Sequence, residues 1–289
     1  MLDFTLRYLR CINCRSRLSA EPLLYGSELE EGFLNCDLCG SKYPVISSIP
    51  LLVADLSLYF SVRMSLGGEL MLKSRTAKMR SFVKQALAKV RHASEDTTGL
   101  EKRWVAIYRK SLKTRFYRQV ESLIGKLPIS ETFLEHGCSI GHVSSRAARR
   151  GGLVFGMDKS YYAISEAMKS REGNSDFVVA DSLKNPFGGK FDTVLALNLL
   201  DIVEPRPLVR VLSAQAKKFL ILSDPYDYER GKNSVKQQLG PEEVRSLLRA
   251  TGFRLVAGTA RQSFIPWSLE ANPRLVLNYK VDLVVARRR

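Results

Sequence analysis

The chain has 289 residues, of which 45% are hydrophobic, with a formal net charge of +16 and a sequence pI near 9.8. No stretch reaches the roughly 18 uninterrupted apolar residues of a membrane-spanning helix, and the opening residues 1–5 carry an acid where a secretion signal carries bases. We therefore expect a soluble, cytoplasmic protein with no membrane partner, built from one full-sized domain and something smaller.

Composition divides the chain into three predicted regions: a small domain over 1–55, a basic helical segment over 56–125 and a larger domain over 126–289. Residues 61–125 hold 15 Lys and Arg against 5 Asp and Glu, which gives +10. A field of this sign attracts phosphate-rich molecules, so we expect RNA to bind through this segment. The alternative is a solvated basic surface of a protein from a basic proteome or a heat-adapted one.

The first region contains two CxxC motifs, Cys11-Ile-Asn-Cys14 and Cys36-Asp-Leu-Cys39, separated by 21 residues. Two residues between cysteines let one tight turn direct both thiolates at one ion, and two such turns complete a tetrahedral set. The spacing predicts a zinc ribbon in which Cys11, Cys14, Cys36 and Cys39 hold a structural ion. A pair of redox dithiols or two disulfides is the alternative.

The segment Cys36-Asp-Leu-Cys39-Gly40, followed by Lys42-Tyr43-Pro44-Val45 and Ile49-Pro50-Leu51-Leu52, resembles the small zinc-ribbon activator protein of methyltransferases. This resemblance covers about the first 55 residues. It implies a link to catalytic partners that act on tRNA, rRNA or translation release factors. In that family the ribbon is a separate subunit, whereas here it is joined to a larger domain, so it could activate in cis, contact substrate or do both.

The middle region has apolar residues at near-helical spacing, from Leu72 to Val90, among many Lys and Arg side chains. A second helix is predicted over Trp104–Leu123. The polar residues between them, His92–Gly99, are predicted to form a flexible joint.

From Ser130 onward, short apolar runs alternate with helical stretches, which predicts an α/β fold with a doubly wound, mostly parallel sheet. Seven strands are predicted, at Thr132–Glu135, Leu153–Met157, Asp176–Val179, Phe191–Ala196, Phe219–Leu222, Phe253–Gly258 and Val281–Ala286.

The turn after the first of these strands is rich in small residues: Glu135-His136-Gly137-Cys138-Ser139-Ile140-Gly141. A dinucleotide-binding loop has the tighter GxGxxG spacing, because a pyrophosphate must rest on the following helix. Here the glycines are four apart, which favours S-adenosylmethionine. Asp158 then ends the second strand, where a carboxylate can accept hydrogen bonds from ribose hydroxyls, and Asp181 ends the third.

This ordered set of motifs over residues 130–289 resembles the class I methyltransferase family. The resemblance implies that Glu135, Gly137, Ser139 and Gly141 cradle the cofactor and that Asp158 binds its ribose. It also implies adenine contacts from Asp181 and Ser182 and a wall beside the methionine from Asn198. Ser139 stands where the family more often has glycine.

On the acceptor side, two connections are predicted to open beside the cofactor: residues 224–230 and the long segment 259–280, which mixes aromatic and polar side chains. We predict Asp201, Asp224 and Tyr226 as the groups that orient the acceptor or remove its proton. The alternative is that both connections are insertions that pack against the middle helices.

The sequence therefore predicts a methyltransferase that acts on RNA, either tRNA or rRNA. A similar layout of a four-cysteine ribbon before a class I domain occurs in the bacterial large-subunit rRNA guanine methyltransferases. Two alternatives stay open: a methyltransferase for a protein side chain or a small amine, and a non-enzymatic scaffold that presents its ribbon to a partner.

Overall fold

The computed structural model describes residues 1–92 and 95–289, and its main feature is a mixed β-sheet flanked by helices. The predicted joint at His92–Gly99 lies partly outside these described residues. Within them, no helix combines the length and the apolar character that crossing a membrane requires.

The first 55 residues form a short helix and an antiparallel meander in which each strand pairs with the next one along the chain. The CxxC motifs lie before the first strand and between the second and third. The bounds are α1 Asp3–Tyr8, β1 Ser19–Tyr25, β2 Leu29–Asn35, β3 Lys42–Ile46 and β4 Ile49–Leu52.

The middle region is helical as predicted, but the prediction of one helix over Trp104–Leu123 is wrong. Two helices occupy this stretch, because the Ser111 hydroxyl donates back to the Ile107 carbonyl at 2.8 Å and Thr114 has extended backbone angles. The chain turns there, which brings both helices over one edge of the sheet. The bounds are α2 Leu56–Ser61, α3 Met64–Lys73, α4 Ala77–Ala88, α5 Thr98–Lys110 and α6 Arg115–Lys126.

The remaining residues form the predicted doubly wound sheet. Its strand order is β7-β6-β5-β8-β9-β12-β10, with β12 antiparallel to β9 and β10. The expected seven-stranded α/β fold is confirmed. The bounds are β5 Thr132–His136, α7 His142–Ala148, β6 Leu153–Asp158, α8 Tyr161–Ala167, β7 Ser175–Ala180, β8 Phe191–Leu197, α9 Pro205–Gln215, β9 Ala216–Asp224, α10 Pro241–Ala250, β10 Phe253–Leu255, β11 Ile265–Asn272 and β12 Leu275–Arg288.

The strand β11 was not predicted, since residues 259–280 were expected to form a long open connection. Instead, β11 and the first half of β12 form a hairpin with Trp267 opposite Tyr279. Pro266 conceals this strand in the sequence because proline cannot donate to a ladder, yet a strand that pairs on one side only can accommodate it. The hairpin packs against α5 and α6.

The ribbon segment and the larger domain share one continuous sheet, because β4 pairs in parallel with β7 through Leu51 opposite Val179. Further contacts hold the segment in place. The buried carboxylate of Asp176 accepts from Thr5 Oγ1 at 2.7 Å and from the backbone N–H of Leu2 at 2.8 Å. The segment therefore contributes to the edge of the main sheet as well as carrying the cysteines.

Apolar side chains alternate between the two faces of the sheet, as its pleat requires. On one face, α1, α9 and α10 cover a cluster that includes Leu134 and Val284. On the other, α6, α7 and the hairpin cover Phe133 and Val285. Both faces are thus closed, and the carboxyl ends of the parallel strands open beneath α5.

Candidate functional site

The turn after β5 has the backbone conformation that its glycines permit. Gly137 and Gly141 have φ values of 64° and 71°, and Ser139 between them has 48°. A Cβ at Gly137 would lie 3.0 Å from Leu199 Cδ1, and one at Gly141 would lie 2.7 Å from the Ala167 Cβ. Both glycines are therefore required, whereas Ser139 adopts the left-handed region despite its side chain.

Asp158, at the end of β6, holds this turn in place. Its Oδ2 accepts from the backbone N–H of Ser139 at 3.0 Å, and its Oδ1 accepts from the backbone N–H of Ser160 at 2.8 Å. Burial raises the pKa of Asp158, while the two N–H donors oppose that rise. The carboxylate thus connects the β5 turn to the start of α8.

Glu135 lies within β5, before the turn, and only 3% of its surface is exposed. The Ser144 hydroxyl donates to its Oε2 at 2.5 Å. Burial raises the pKa of Glu135 to about 8, because few groups replace the water that an ionised carboxylate loses. A cationic ligand beside this carboxylate would favour its ionised form.

These groups line a cavity of about 240 Å³ at the carboxyl ends of β5, β6 and β8. Three carboxylates line it, from Glu101, Glu135 and Asp158, and no Lys or Arg does so within residues 1–92 and 95–289. Asn198, at φ 53°, forms part of the wall beside Leu199. Arg63 pairs with Glu101 at 2.6 Å from outside the lining. Glu135 and Asp158 are therefore the lining carboxylates without a basic partner among the described ion pairs, and they suit a ligand that carries positive charge.

The other side of the cavity is aromatic. Trp104 and Tyr108 come from α5, Tyr117 comes from α6 and Trp267 comes from β11. The rings of Tyr108 and Trp267 are nearly parallel, at 12°, with centroids 6.3 Å apart. Trp267 is buried and its Nε1 has no hydrogen-bond partner among the described residues. We call these four residues the aromatic wall.

A family model described as a methyltransferase domain matches residues 133–218, which run from β5 into β9. Magnesium-protoporphyrin O-methyltransferase of Synechocystis sp. (strain ATCC 27184 / PCC 6803 / Kazusa) is 29% identical over 150 residues, or 44% of this chain. The chain matches 64% of that relative's length. Residues 133–218 therefore correspond to a methyltransferase domain.

Solved structures agree with this methyltransferase domain. The crystal structure of magnesium protoporphyrin IX methyltransferase from Synechocystis PCC 6803 with bound S-adenosylmethionine is 25% identical, with a TM-score of 0.50. The match covers 67% of this chain and 92% of that one. The complex between the Haloferax volcanii Trm112 methyltransferase activator and a putative methyltransferase matches at 17% identity and a TM-score of 0.50, over 65% of this chain and 97% of that chain. This second likeness concerns the fold alone.

The structure brings together five of the eight predicted cofactor residues at the cavity of the methyltransferase domain. These are Glu135, Gly137, Ser139, Asp158 and Asn198. A sixth, Gly141, provides the turn conformation without lining the cavity.

The two predicted adenine contacts lie outside the cavity lining. Asp181 caps the short helix that follows it, accepting from the backbone N–H of Leu183 at 2.9 Å, and its Oδ2 lies 3.3 Å from Lys159 Nζ. Ser182 is buried in that same short helix. The adenine contacts of Asp181 and Ser182 stay a prediction.

The three predicted catalytic residues also lie outside the cavity lining, and their catalytic role stays a prediction. Asp224 accepts from the backbone N–H groups of Leu200, Asp201 and Tyr226 at 2.8, 3.2 and 2.7 Å, so it fixes two loops. Asp201 pairs with Arg230 at 2.9 Å, and burial raises the pKa of Asp201 to about 6.

Tyr226 is the third of these residues, and its hydroxyl donates to Asp282 at 3.3 Å. All three side chains therefore have structural partners within the domain. The long connection also differs from its predicted role, because most of it forms the hairpin and only Trp267 of its aromatic residues lines the cavity. The alternative of an insertion that packs against the middle helices describes it better.

The aromatic wall was missed because its members lie far apart in sequence, on elements that precede and follow the glycine turn. The sequence did contain one indication of the aromatic wall. Trp104 and Tyr108 are four residues apart on a predicted helix, so they share one face. The sequence did not indicate which part of the sheet that face would cover.

The four cysteines of the CxxC motifs form a compact cluster in which all Sγ atoms lie within 4.8 Å of one another. The motifs have matching backbone geometry. Arg15 N–H donates to the Cys11 carbonyl and Gly40 N–H donates to the Cys36 carbonyl, each at 2.9 Å. Both Arg15 and Gly40 have positive φ, at 66° and 70°. The paired turns point four soft donors at one position, which is the arrangement that tetrahedral zinc prefers.

Proposed function

We propose that this protein transfers a methyl group from S-adenosylmethionine to an acceptor bound beside the acidic cavity. The observation that carries this proposal is the pair of carboxylates from Glu135 and Asp158, which face one cavity without a basic partner among the described ion pairs, beside a Glu101 that is paired with Arg63. S-adenosylmethionine has a sulfonium and an ammonium group, so it complements such a cavity. Asp158 and Glu101 would accept from its ribose, and Glu135 would face its cationic part.

The bound cofactor would supply a methyl group attached to a positively charged sulfur. The acceptor would take this methyl group by direct displacement, with the sulfur as the leaving group. The protein then has to align the acceptor and exclude water. The aromatic wall suits both tasks, since Trp104, Tyr108 and Trp267 offer flat apolar surfaces. Calorimetry with S-adenosylmethionine tests this part, and absence of binding would favour the alternative of a non-enzymatic scaffold.

We further propose RNA, either tRNA or rRNA, as the acceptor. The net charge of +16 and the +10 of residues 61–125 support this choice, because a polyanion gains most from such a surface. A cavity with an aromatic wall also suits a base taken out of its stack.

The decisive experiment supplies labelled S-adenosylmethionine to extract from cells that lack this protein, with and without the purified chain. Under the RNA proposal, label that depends on the protein appears in RNA and is removed by ribonuclease. Label in the protein fraction, or in a small amine, would instead support the alternatives from the sequence.

A small planar acceptor is the second candidate. It is favoured by the likeness to an enzyme named for magnesium protoporphyrin and by the cavity, whose flat aromatic wall suits a conjugated ring. In the labelling experiment this candidate predicts ribonuclease-resistant label that passes a filter retaining macromolecules.

We also propose that Cys11, Cys14, Cys36 and Cys39 hold a structural zinc ion. Four protein thiolates would fill the tetrahedral sites, which leaves none for a reacting water. The ribbon would act in cis as a brace for the methyltransferase domain, as the resemblance to the activator family suggests, since β4 extends the sheet at β7.

The variant Cys36→Ser tests the zinc proposal, with Cys138→Ser as its control, because Cys138 is also buried but lies outside the cluster. We expect elemental analysis to find one zinc ion per chain in the control and much less in Cys36→Ser. Thermal unfolding should then show a clear loss of stability, since structural zinc contributes directly to folding. Equal zinc content in both variants would refute the assignment.

A further inference from the structure

A second depression, of about 600 Å³, lies next to the cavity and is lined mainly by basic side chains. It runs between the connection from α5 to α6, helix α7 and the end of α8. Two residues, Ile140 and His142, line both this depression and the cavity, so the two are adjacent. We call it the basic groove, and its cationic residues are Arg109, Lys113, Arg118, Arg146, Arg149 and Lys169.

Two carboxylates that line the groove neutralise part of this charge. Glu121 accepts from Arg146 at 3.2 Å and contacts His142 at 2.7 Å. Glu166 pairs with Lys169 at 2.6 Å and lies 3.8 Å from Arg109. A third carboxylate, Glu172, pairs with Arg149 at 2.8 Å. Six cations against three carboxylates leave a positive groove.

The excess is concentrated at two of the six cations. The ion pairs of the described residues give Lys113 and Arg118 no carboxylate within 4.0 Å. Arg118 donates only to the backbone carbonyl of Lys113, at 2.9 Å. Both side chains are exposed at the turn between α5 and α6, so they are available to an anionic ligand.

Other cations of residues 61–125 are used differently. Arg63, Arg75, Lys78 and Lys102 each lie 2.5 or 2.6 Å from a carboxylate, those of Glu101, Glu30, Glu21 and Glu69 respectively. Two of these partners, Glu21 and Glu30, lie in the ribbon segment. Some cations of the basic segment therefore brace neighbouring elements, and three others, Arg109, Lys113 and Arg118, line the groove.

We propose that the basic groove binds the phosphate backbone of single-stranded RNA and presents one base to the adjacent cavity, beside Ile140 and His142. This inference rests on the proposed RNA acceptor and names the surface that would hold it. Four of the six cations are arginines, whose planar forks match phosphate oxygens. A single strand fits because a base must leave its stack to enter an enclosed cavity.

An acidic protein segment would also be attracted to the groove, but carboxylates on flexible side chains offer no regular spacing for six cations to follow. A nucleic acid strand has a charge at every nucleotide and a flat base beside it. It therefore matches both the groove and the aromatic wall, and we favour RNA.

The test compares two double variants of the full chain. Lys113→Gln/Arg118→Gln removes the two unpaired groove charges, and Lys190→Gln/Lys236→Gln removes two exposed charges outside residues 61–125 that have no carboxylate partner among the described ion pairs. Binding of a labelled oligouridylate is measured over a salt series, and binding of S-adenosylmethionine is measured as a check on folding. Polyglutamate is the competing probe.

We expect the groove variant to bind oligouridylate about tenfold more weakly at low salt, with a log–log salt slope shallower by about 1.4, at roughly 0.7 per phosphate contact of a single strand. Its affinity for S-adenosylmethionine should equal that of the control variant. Equal weakening in both double variants would overturn the groove assignment while leaving RNA as the acceptor. Absence of oligouridylate binding by the unmodified protein, or tighter binding of polyglutamate through the same residues, would overturn both.

Discussion

The cavity and the basic groove lie side by side, yet they have opposite charge. The same two helices line both. In α5, Tyr108 lines the cavity and its neighbour Arg109 lines the groove, and in α6 the same holds for Tyr117 and Arg118. Successive side chains of a helix point about 100° apart, so neighbouring residues can line the cavity and the groove respectively.

This difference indicates how the two proposed ligands would be kept apart. An acidic cavity attracts a cationic cofactor and repels phosphates, while a basic groove does the reverse. The two depressions meet at Ile140 and His142, so a reaction between the ligands would take place where the fields change sign. Substitutions on one side should therefore leave ligand binding on the other side unchanged.

The largest effect is expected from Asp158→Ala. This change removes the acceptor for two backbone N–H groups that hold the glycine turn, and it removes the proposed ribose ligand. We expect S-adenosylmethionine to bind about 100-fold more weakly by calorimetry, on the order of two hydrogen bonds to a charged group. Oligouridylate should bind as before.

The matched control for Asp158 is Asp181→Ala, since Asp181 also ends a strand of the same sheet but lies outside the cavity lining. Its affinity for S-adenosylmethionine should stay within about twofold of the unmodified protein. An equal loss in both variants would return Asp181 to the adenine site that the sequence predicted for it.

Asp158 and Asp181 also show what the sequence can predict about this site and what it cannot. The alternation of apolar runs predicts which residues end parallel strands, because burial on both faces leaves a continuous hydrophobic signal. It does not predict where a terminal side chain points, since that depends on the turn that follows. Asp158 lies against the glycine turn, whereas Asp181 caps a short helix.

The cysteine cluster and the aromatic wall also differ in whether the sequence alone predicts them. The cluster could be predicted because its ligands come in pairs with short, fixed spacing. The wall draws on Trp104, Tyr117 and Trp267, whose proximity depends on the break between α5 and α6 and on the unpredicted strand β11. Contacts between distant elements of this kind need the tertiary fold, and they supplied the part of the site that sequence missed.

An intermediate effect is expected from a pair of neighbouring substitutions, Tyr117→Ala and Arg118→Ala. The first removes a ring of the aromatic wall and leaves the groove charges in place, so S-adenosylmethionine should bind about tenfold more weakly while the salt dependence of oligouridylate binding is kept. The second should do the opposite, with a threefold to tenfold loss of oligouridylate affinity. Both ligands are measured for both proteins, and thermal unfolding checks that each variant is folded. If both variants lose the same ligand, the helices do not separate the two sites.

The smallest effect concerns pH and Glu135. Its pKa in the folded protein is about 8, above the ordinary value of 4.5, because it is buried. Between these two pH values the folded state binds more protons than the unfolded state, so the contribution of Glu135 to stability falls as pH rises from about 4.5 to about 8. Glu135→Gln should flatten that part of the profile, which shows as a difference of a few degrees in thermal unfolding across the window.

Cofactor affinity should change with pH in the opposite direction. A cation in the cavity favours the ionised form of Glu135, so S-adenosylmethionine should bind several-fold more tightly as pH rises from 7 towards about 9. Glu135→Gln carries no titrating group at this position, and any change that remains in this variant reports titration of the ligand or of other groups. If both proteins show the same pH profile for binding and for stability, Glu135 does not face the cation, and the acidity of the cavity is then due to Glu101 and Asp158.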